Sequence, residues 1–467
     1  MNRLITRCMR FVLSGCLAAT AAMAATTTNS SSVTFNKDVL PILQKNCQEC
    51  HRPGEVTPMS LLTYTDARPW AKAIKTAVVN RKMPPWFADP QKSLHFSNEM
   101  RMSDAEISTL VSWADNGAPE GNPKDAPAPR TFNTGWNLKP DMVIKMPKPF
   151  IVPAKGTLNY KFIVVKTNFP EDMWVTAAEM RPGESAVVHH GKVWMRPPGS
   201  SWMAKATPGE AYDNETNAEI MGKKTDREGG EDSDILAKFN PGLGAQDFTA
   251  EGSAKLLKKG SDLVFELHYT ADGTETADVS EVGLSIQKAA PISRRYFYTS
   301  GPGAGNLVIP AGDANAEVVG ETTIGIEGVH LIYMQPHMHV RGKDFEVRAV
   351  YPTGEMQTLL YAKWDFNWQE GYQLKEPLPM PKGTRLISIV HYDNSPNNPY
   401  NPDPTKEVHN GLQTWDEMSN LFVGVTLNMG DDPEKIFKRS GPSLLKPVYG
   451  VAGPTISALD LPTKGSH

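Results

Sequence analysis

The segment Cys47–His51 constrains this chain more than any other feature, because it reads Cys-Gln-Glu-Cys-His. That spacing is the attachment signature of c-type haem: two thiols form thioethers with the porphyrin, and the adjacent imidazole ligates the iron. The alternative is a disulfide followed by an incidental histidine. We favour one covalent haem c, held by Cys47, Cys50 and His51, and therefore predict a protein that carries electrons.

The N-terminus predicts export from the cytoplasm. Three arginines precede an apolar segment at residues 11–22 that is too short to span a bilayer, and Ala22–Ala24 has the small-x-small cleavage pattern. We therefore predict a signal peptide at residues 1–24 and a periplasmic or secreted protein. The competing interpretation is a lipoprotein box at residues 13–16, which leaves a shorter apolar core, so we favour the signal peptide.

The composition and the sequence patterns argue against two classes of protein, membrane-spanning and nucleic-acid-binding proteins. Charged residues make up 21% and hydrophobic residues 40% of the chain, with a formal net charge of −4. No later segment is long and apolar enough to be a transmembrane segment, and no basic run accompanies stacking aromatics. We expect neither a membrane span nor a nucleic acid partner.

Helical patterns follow the haem signature, so residues 33–121 are predicted to form a small all-α cytochrome c domain. Apolar residues recur at helical spacing in residues 70–80, and Ser103 with Glu106 forms a capping box. A methionine is expected as the second axial ligand, and Met83 in a proline-rich loop is our candidate. Three other methionines compete with it: Met59, Met100 and Met102.

The pattern changes to short β-strands after a proline-rich linker at residues 122–134. Within this region, residues 259–269 resemble residues 382–392, and both stretches end in Leu/Val-His-Tyr. Two related strands this far apart suggest a duplicated unit. We therefore predict two tandem all-β antiparallel sandwich domains, at residues 135–290 and 291–445.

Histidines occur at suggestive places in both β domains. Because alternate residues of a strand share a face, His337 and His339 can point at one metal ion. His189 and His190, which would act with His268, are adjacent and would point to opposite faces of a regular strand. Metal binding there requires a local twist or a β-bulge.

The ligand types favour copper. Imidazole and thioether groups without a thiolate suit copper better than magnesium or calcium, although three imidazoles also suit zinc. The alternative is that these histidines only form hydrogen bonds at the ends of strands.

Four motifs in order resemble those of the copper type II, ascorbate-dependent monooxygenases, over residues 131–445. The motifs are Val188–His190, Leu267–Tyr269, Pro336–His339 and Asp416–Leu421. The resemblance implies two jelly-roll-like domains that face a cleft and hold two copper ions. It implies that the first copper is bound by His189, His190 and His268. It implies that the second copper, the catalytic one, is bound by His337, His339 and Met418.

The chain departs from that family in several places. Gln335 stands where the peptide-amidating enzyme has an arginine, and Phe422 replaces its tyrosine. The copper region also contains no cysteine, whereas the animal enzymes are cross-linked by disulfides. Peptidylglycine is therefore an unexpected substrate. His391, which matches His268 in the internal repeat, is an alternative to Met418 as a ligand.

These inferences combine into one hypothesis. The fold class is multidomain, with a small all-α cytochrome c domain followed by two tandem jelly-roll sandwiches. The function is an exported haem–copper monooxygenase that uses O2 to hydroxylate a C–H bond of a small organic substrate. A redox partner or reductant feeds the haem, which relays electrons to the coppers. The alternative is a non-catalytic electron-transfer or copper-binding cytochrome c fusion.

Overall fold

The computed structural model describes most of the chain after the predicted signal peptide, which lies outside the described residues. It covers residues 33–53, 57, 59–132, 135–221, 234–240, 243–304, 307–411 and 413–438. Among these residues, no helix has the length and apolar character needed to cross a membrane.

Helices are few and short. They are a π-helical turn at Phe35–Val39 that leads into α1 (Leu40–Asn46), then α2 (Tyr64–Ala67), α3 (Ala71–Val79), α4 (Asp104–Asp115) and α5 (Ala218–Met221). Single 3₁₀ turns lie at Arg68–Trp70, Pro123–Asp125, Ala250–Gly252 and Pro433–Lys435. The predicted capping box of α4 is confirmed: the Ser103 side chain accepts from Glu106 N, and the Glu106 side chain accepts from Ser103 N.

Strands make up the rest of the described secondary structure. In chain order they are β1 (Met142–Lys145), β2 (Phe150–Val152), β3 (Lys161–Val165), β4 (Met173–Arg181), β5 (Val188–Arg196), β6 (Ala211–Tyr212), β7 (Asp234–Phe239), β8 (Gln246–Asp247), β9 (Lys255–Leu257), β10 (Asp262–Tyr269), β11 (Thr276–Asp278), β12 (Glu281–Gln287), β13 (Arg294–Gly303), β14 (Val308–Ile309), β15 (Ala316–Ile324), β16 (Val329–His337), β17 (Gly342–Val350), β18 (Met356–Lys363), β19 (Tyr372–Met380), β20 (Arg385–Tyr392), β21 (Val408–His409), β22 (Asn420–Asn428) and β23 (Phe437–Lys438).

The strands build two β-sandwiches that share one sheet. Two five-stranded sheets have the orders β6-β3-β10-β5-β7 and β18-β17-β20-β15-β23. Each packs on one half of a nine-stranded sheet, β1-β12-β4-β9-β13-β22-β16-β19, in which β8 also pairs with β4. The halves join where Tyr296 of β13 pairs with Lys255 of β9. The two sandwiches are therefore joined through a continuous sheet.

The prediction of a small all-α cytochrome c domain at residues 33–121 is wrong. The chain is mostly β-sheet, and the helices of this region are separated by a long non-helical segment, residues 84–100. That segment belongs to the second sandwich: Ala88 bridges to Ala362, and Phe96 bridges to Leu374. The helical signals were local, whereas these contacts join distant parts of the chain.

The two repeated stretches seen in the sequence occupy equivalent places. They contain β10 and β20, and each is the central strand of its five-stranded sheet. In the first sheet, His268 pairs with His190 and Tyr269 pairs with Val188. Each repeat therefore supplies the middle of one sandwich.

Candidate metal centres

The first histidine set lies where β5 pairs with β10. Because His268 pairs with His190 and Tyr269 with Val188, His189 is an extra residue, which makes a β-bulge. The candidate ligand nitrogens of His189, His190 and His268 all lie within 4.8 Å of one another. The bulge is thus the local distortion that two adjacent histidines need in order to face one point.

Burial keeps these three imidazoles neutral. Burial lowers the pKa of His189, lowers that of His268 to about 4, and lowers that of His190 well below its usual value. The neighbouring imidazoles add to the effect at His190 and His268. Tyr160 encloses the set, since its hydroxyl lies 3.2 Å from His190 Nε2 and its ring stacks on His268 at 4.7 Å. Neutral imidazoles present the lone pairs that a metal needs.

The second histidine set lies at the end of β16. The rings of His337 and His339 are nearly perpendicular, with centroids 5.3 Å and planes 83° apart, while Met338 between them is fully buried in the core of the second sandwich. The two imidazoles are therefore neighbours, as the spacing predicts, and their binding of one metal ion stays a prediction. Asn420 of β22 pairs with His337, which brings the loop that contains Met418 to the same place.

Glu417 connects the backbone of Met418 to the backbone of His339 through hydrogen bonds. Its carboxylate is fully buried and accepts from three backbone N–H groups: His339 at 2.8 Å, Met418 at 3.3 Å and Arg341 at 2.6 Å. Burial raises the pKa of Glu417 to about 8, and these N–H groups oppose that rise. Glu417 lies within the motif Asp416–Leu421, but the motif alone does not indicate this role.

Hydrogen bonds at Nδ1 set the protonation of both histidines. His337 Nδ1 lies 2.7 Å from Gln369 Oε1, and His339 Nδ1 lies 3.2 Å from the Asp416 carbonyl oxygen. A carbonyl oxygen can only accept, so Nδ1 carries the proton in each ring. Nε2 is therefore the candidate ligand atom of both His337 and His339.

His391 lies in a cluster of ionisable side chains. In β20 it pairs with Asp344 of β17, as His268 pairs with His190 in the first sandwich. Its Nδ1 lies 2.6 Å from Asp344 Oδ1, and its Nε2 lies 3.4 Å from Glu317 Oε2. Both ring nitrogens thus face carboxylate oxygens, and the hydrogen bond with Asp344 raises the pKa of His391.

Replacing His391 with glutamine should destabilise the protein more at pH 5.5 than at pH 9. The pKa of His391 is higher in the folded than in the unfolded protein. Protonated His391 therefore contributes fully to the free energy of unfolding at pH values below the pKa of the unfolded state. This contribution is lost as the pH rises through the pKa of the folded state. Urea unfolding at both pH values measures this. The exposed His409→Gln variant is the control and should change stability little. Equal destabilisation by His391→Gln at both values would contradict the prediction.

Lys238 is a residue of this region that the sequence argument missed. Its Nζ donates to Gln335 Oε1 and to the Tyr298 hydroxyl, and it lies 5.9 Å from the centroid of the Phe422 ring. Gln335 and Phe422 are the two positions at which the sequence departs from the peptide-amidating enzyme. Lys238 brings an ammonium group to both. It is 97 residues away from Gln335, so no local sequence signal could reveal the contact.

The haem signature follows α1. Neither Cys47 nor Cys50 is part of a disulfide, and burial raises the pKa of Cys47 to about 12, with Cys50 and Glu106 adding to the rise. His51 is buried, its pKa is lowered by burial, and its Nδ1 has no hydrogen-bond partner.

The methionines proposed as the second axial ligand have different surroundings. Met102 packs in the core of the helical region, and Met100 packs against the second sandwich. Met83 and Met59 are half-buried, and Met83 lies in the turn after α3. The assignment of Met83 as a ligand stays a prediction.

Comparison with known proteins gives partial matches. Residues 308–425 match the family described as copper type II ascorbate-dependent monooxygenase, C-terminal domain, and this range contains His337, His339 and Met418. The DBH-like monooxygenase protein 1 of Gallus gallus is 26% identical over 179 residues, which cover 34% of this chain and 27% of that protein. The chain thus spans about a quarter of the length of this relative.

Similarity to solved structures is low. The structure of PNGF-II has a TM-score of 0.29 at 10% identity and covers 61% of this chain and 65% of that chain. A structure of infectious bursal virus derived T=1 particles has a TM-score of 0.20 at 8% identity, over 64% of this chain and 72% of that chain. The two sequence matches are therefore the informative ones. The family match makes residues 308–425 similar to copper type II ascorbate-dependent monooxygenases and supports copper as the metal, and both matches support oxygenase chemistry.

Proposed function

We propose that this protein is an exported copper monooxygenase that hydroxylates a C–H bond of a small organic substrate with O2. One copper is held by His189, His190 and His268. The other, the catalytic one, is held by His337, His339 and Met418. The observation that carries this proposal is the bulge at His189, which brings three buried, neutral imidazoles within 4.8 Å of one another.

The donor atoms fit copper at both places. Three imidazoles, and two imidazoles with a thioether, are ligand sets without a thiolate or carboxylate, and a thioether favours Cu(I). Bound copper would supply the one-electron and O2 chemistry that side chains alone cannot perform. The match of residues 308–425 to a monooxygenase family supports the same choice of metal.

The chain's own groups prepare the second site. Gln369 and the Asp416 carbonyl orient the imidazoles of His337 and His339 by holding their Nδ1–H groups. Glu417 joins the backbone of Met418 to that of His339. Lys238 donates to the side chain of Gln335, two residues before His337, and so helps to hold that end of β16 in place.

We further propose that Cys47, Cys50 and His51 hold one covalent haem c, with Met83 as the second axial ligand. Two cysteines outside any disulfide and a buried imidazole with a lowered pKa fit this group, because thioether formation needs reduced cysteines and iron ligation needs an unprotonated nitrogen. The haem would accept electrons from a periplasmic redox partner or reductant. Covalent haem attachment also agrees with the export predicted from residues 1–24.

Metal and haem analysis of the purified mature protein tests the proposal. We expect two coppers per chain and a covalent haem that remains after denaturation. His268→Ala and His339→Ala should each retain one copper, and neither should consume O2 with a substrate panel after reduction. The exposed His95→Ala variant is the control and should retain both coppers. Fewer than two coppers in the unmodified protein would contradict the proposal. Two coppers without O2 uptake would favour a non-catalytic copper-binding protein.

A further inference from the structure

One loop contacts ligand residues of both histidine sets. Residues 364–371, which we call the bridging loop, connect β18 to β19. The Phe366 ring stacks on His189, with centroids 5.8 Å apart and planes 28° apart. Gln369 Oε1 lies 2.7 Å from His337 Nδ1, so the two contacts are only three residues apart along the chain.

The bridging loop also contacts His339, the other histidine of the second set. Trp364 Nε1 donates to the carbonyl oxygen of His339 at 2.9 Å. A side chain at Gly342 would collide with the Trp364 ring, so the close approach of the loop to β17 depends on glycine there. The loop therefore contacts one ligand of the first set and two of the second.

Hydrogen bonds to both sandwiches hold the bridging loop in place. The Gln369 carbonyl oxygen accepts from Asn240 Nδ2 at 3.0 Å and from Gln335 Nε2 at 2.8 Å. Asn240 follows β7 of the first sandwich, and Gln335 belongs to β16 of the second. Inside the loop, Asp365 Oδ1 accepts from Asn367 N at 3.0 Å, and Asp365 O accepts from Trp368 N at 3.0 Å. These hydrogen bonds hold the backbone between Phe366 and Gln369, so a change in the position of one residue affects the other.

We propose that the bridging loop couples metal binding at the two sites, so that a metal at one site raises the affinity of the other. This inference rests on the proposed function, since it requires a metal at each site. Metal binding immobilises His337, and His337 immobilises Gln369 and the loop behind it. Phe366 and His189 are then already oriented when the first site is filled, so less conformational entropy is lost there. Linkage makes the effect reciprocal.

A double-mutant cycle tests this coupling in the full-length protein. Apo protein is titrated with Cu(I) against a chelator of known affinity. The pair His337→Ala/His339→Ala removes the second site, and we expect the first site then to bind copper about tenfold more weakly. In a Phe366→Ala background, removing the second site should leave the affinity of the first unchanged. Gln369→Ala, at the other end of the loop, should uncouple the sites in the same way.

Asn367→Ala is the matched control, because Asn367 lies in the same loop, is exposed and contacts Asp365 instead of a histidine. It should retain the full tenfold coupling. If the protein bound two coppers, but the affinity of the first site did not depend on the second, the coupling would be overturned. The proposed function would remain intact. A stoichiometry below two in the unmodified protein would overturn both.

Discussion

Glu417→Ala is expected to abolish copper binding at the second site and to lower the free energy of unfolding by at least about 3 kcal/mol. The substitution leaves the backbone N–H groups of His339, Arg341 and Met418 buried without an acceptor. Each such group costs roughly 1–3 kcal/mol. The loop carrying Met418 would also lose its attachment to the histidine strand. Copper analysis and guanidinium unfolding measure the two effects.

Two variants show whether the effect comes from these hydrogen bonds. Glu417→Gln keeps the shape and one accepting oxygen, which can still serve His339 and Met418, so it should bind the second copper with reduced affinity. Glu407→Ala removes an exposed carboxylate and should change neither quantity. The first site, which does not involve this loop, should stay filled in all three variants. A Glu417→Ala protein with both coppers and unchanged stability would show that the carboxylate does not position the ligands.

Short-range patterns predicted the second histidine set well. Alternation along a strand predicts that His337 and His339 lie close together, and their ring centroids are 5.3 Å apart. The first histidine set could not be predicted from spacing alone, because adjacent histidines point to the same place only where the strand has a β-bulge. The bulge at His189 depends on the pairing of β5 with β10, which local sequence does not specify.

Long-range contacts explain what the sequence argument missed. Lys238 reaches Gln335, and Phe366 reaches His189, only because the two sandwiches meet. The same holds for the wrong prediction of an all-α domain: helical spacing was visible in α3 and α4, whereas the attachment of residues 84–100 to β18 and β19 was not. His391 was ambiguous for a related reason, since the repeat preserved its position in the strand but replaced its partner His190 with Asp344.

Trp86→Ala is expected to destabilise the second sandwich by about 3–5 kcal/mol, although Trp86 precedes that sandwich by many residues. The Trp86 ring is 7% exposed and packs on Tyr372 and Phe96, with ring centroids 5.1 and 5.9 Å apart. Removing it leaves a cavity in the core of this sandwich. Hydrogen exchange of the β19 amides, next to Tyr372, measures the loss directly.

Two further tryptophan variants separate this effect from a general one. Trp86→Phe should lower the free energy of unfolding much less than Trp86→Ala. It keeps an aromatic ring beside Tyr372 and Phe96, and it removes an indole N–H that is buried without a hydrogen-bond partner. Trp70 lies in the helical region and is 41% exposed, so Trp70→Ala should change stability by less than about 0.5 kcal/mol. If Trp86→Ala left β19 protected and loosened only α3 and α4, residues 84–100 would belong to the helical region after all. Loss of protection in β19 would instead show that this segment completes the sandwich beside His337 and His339, so that the segment after the haem signature is part of the scaffold of the second metal site.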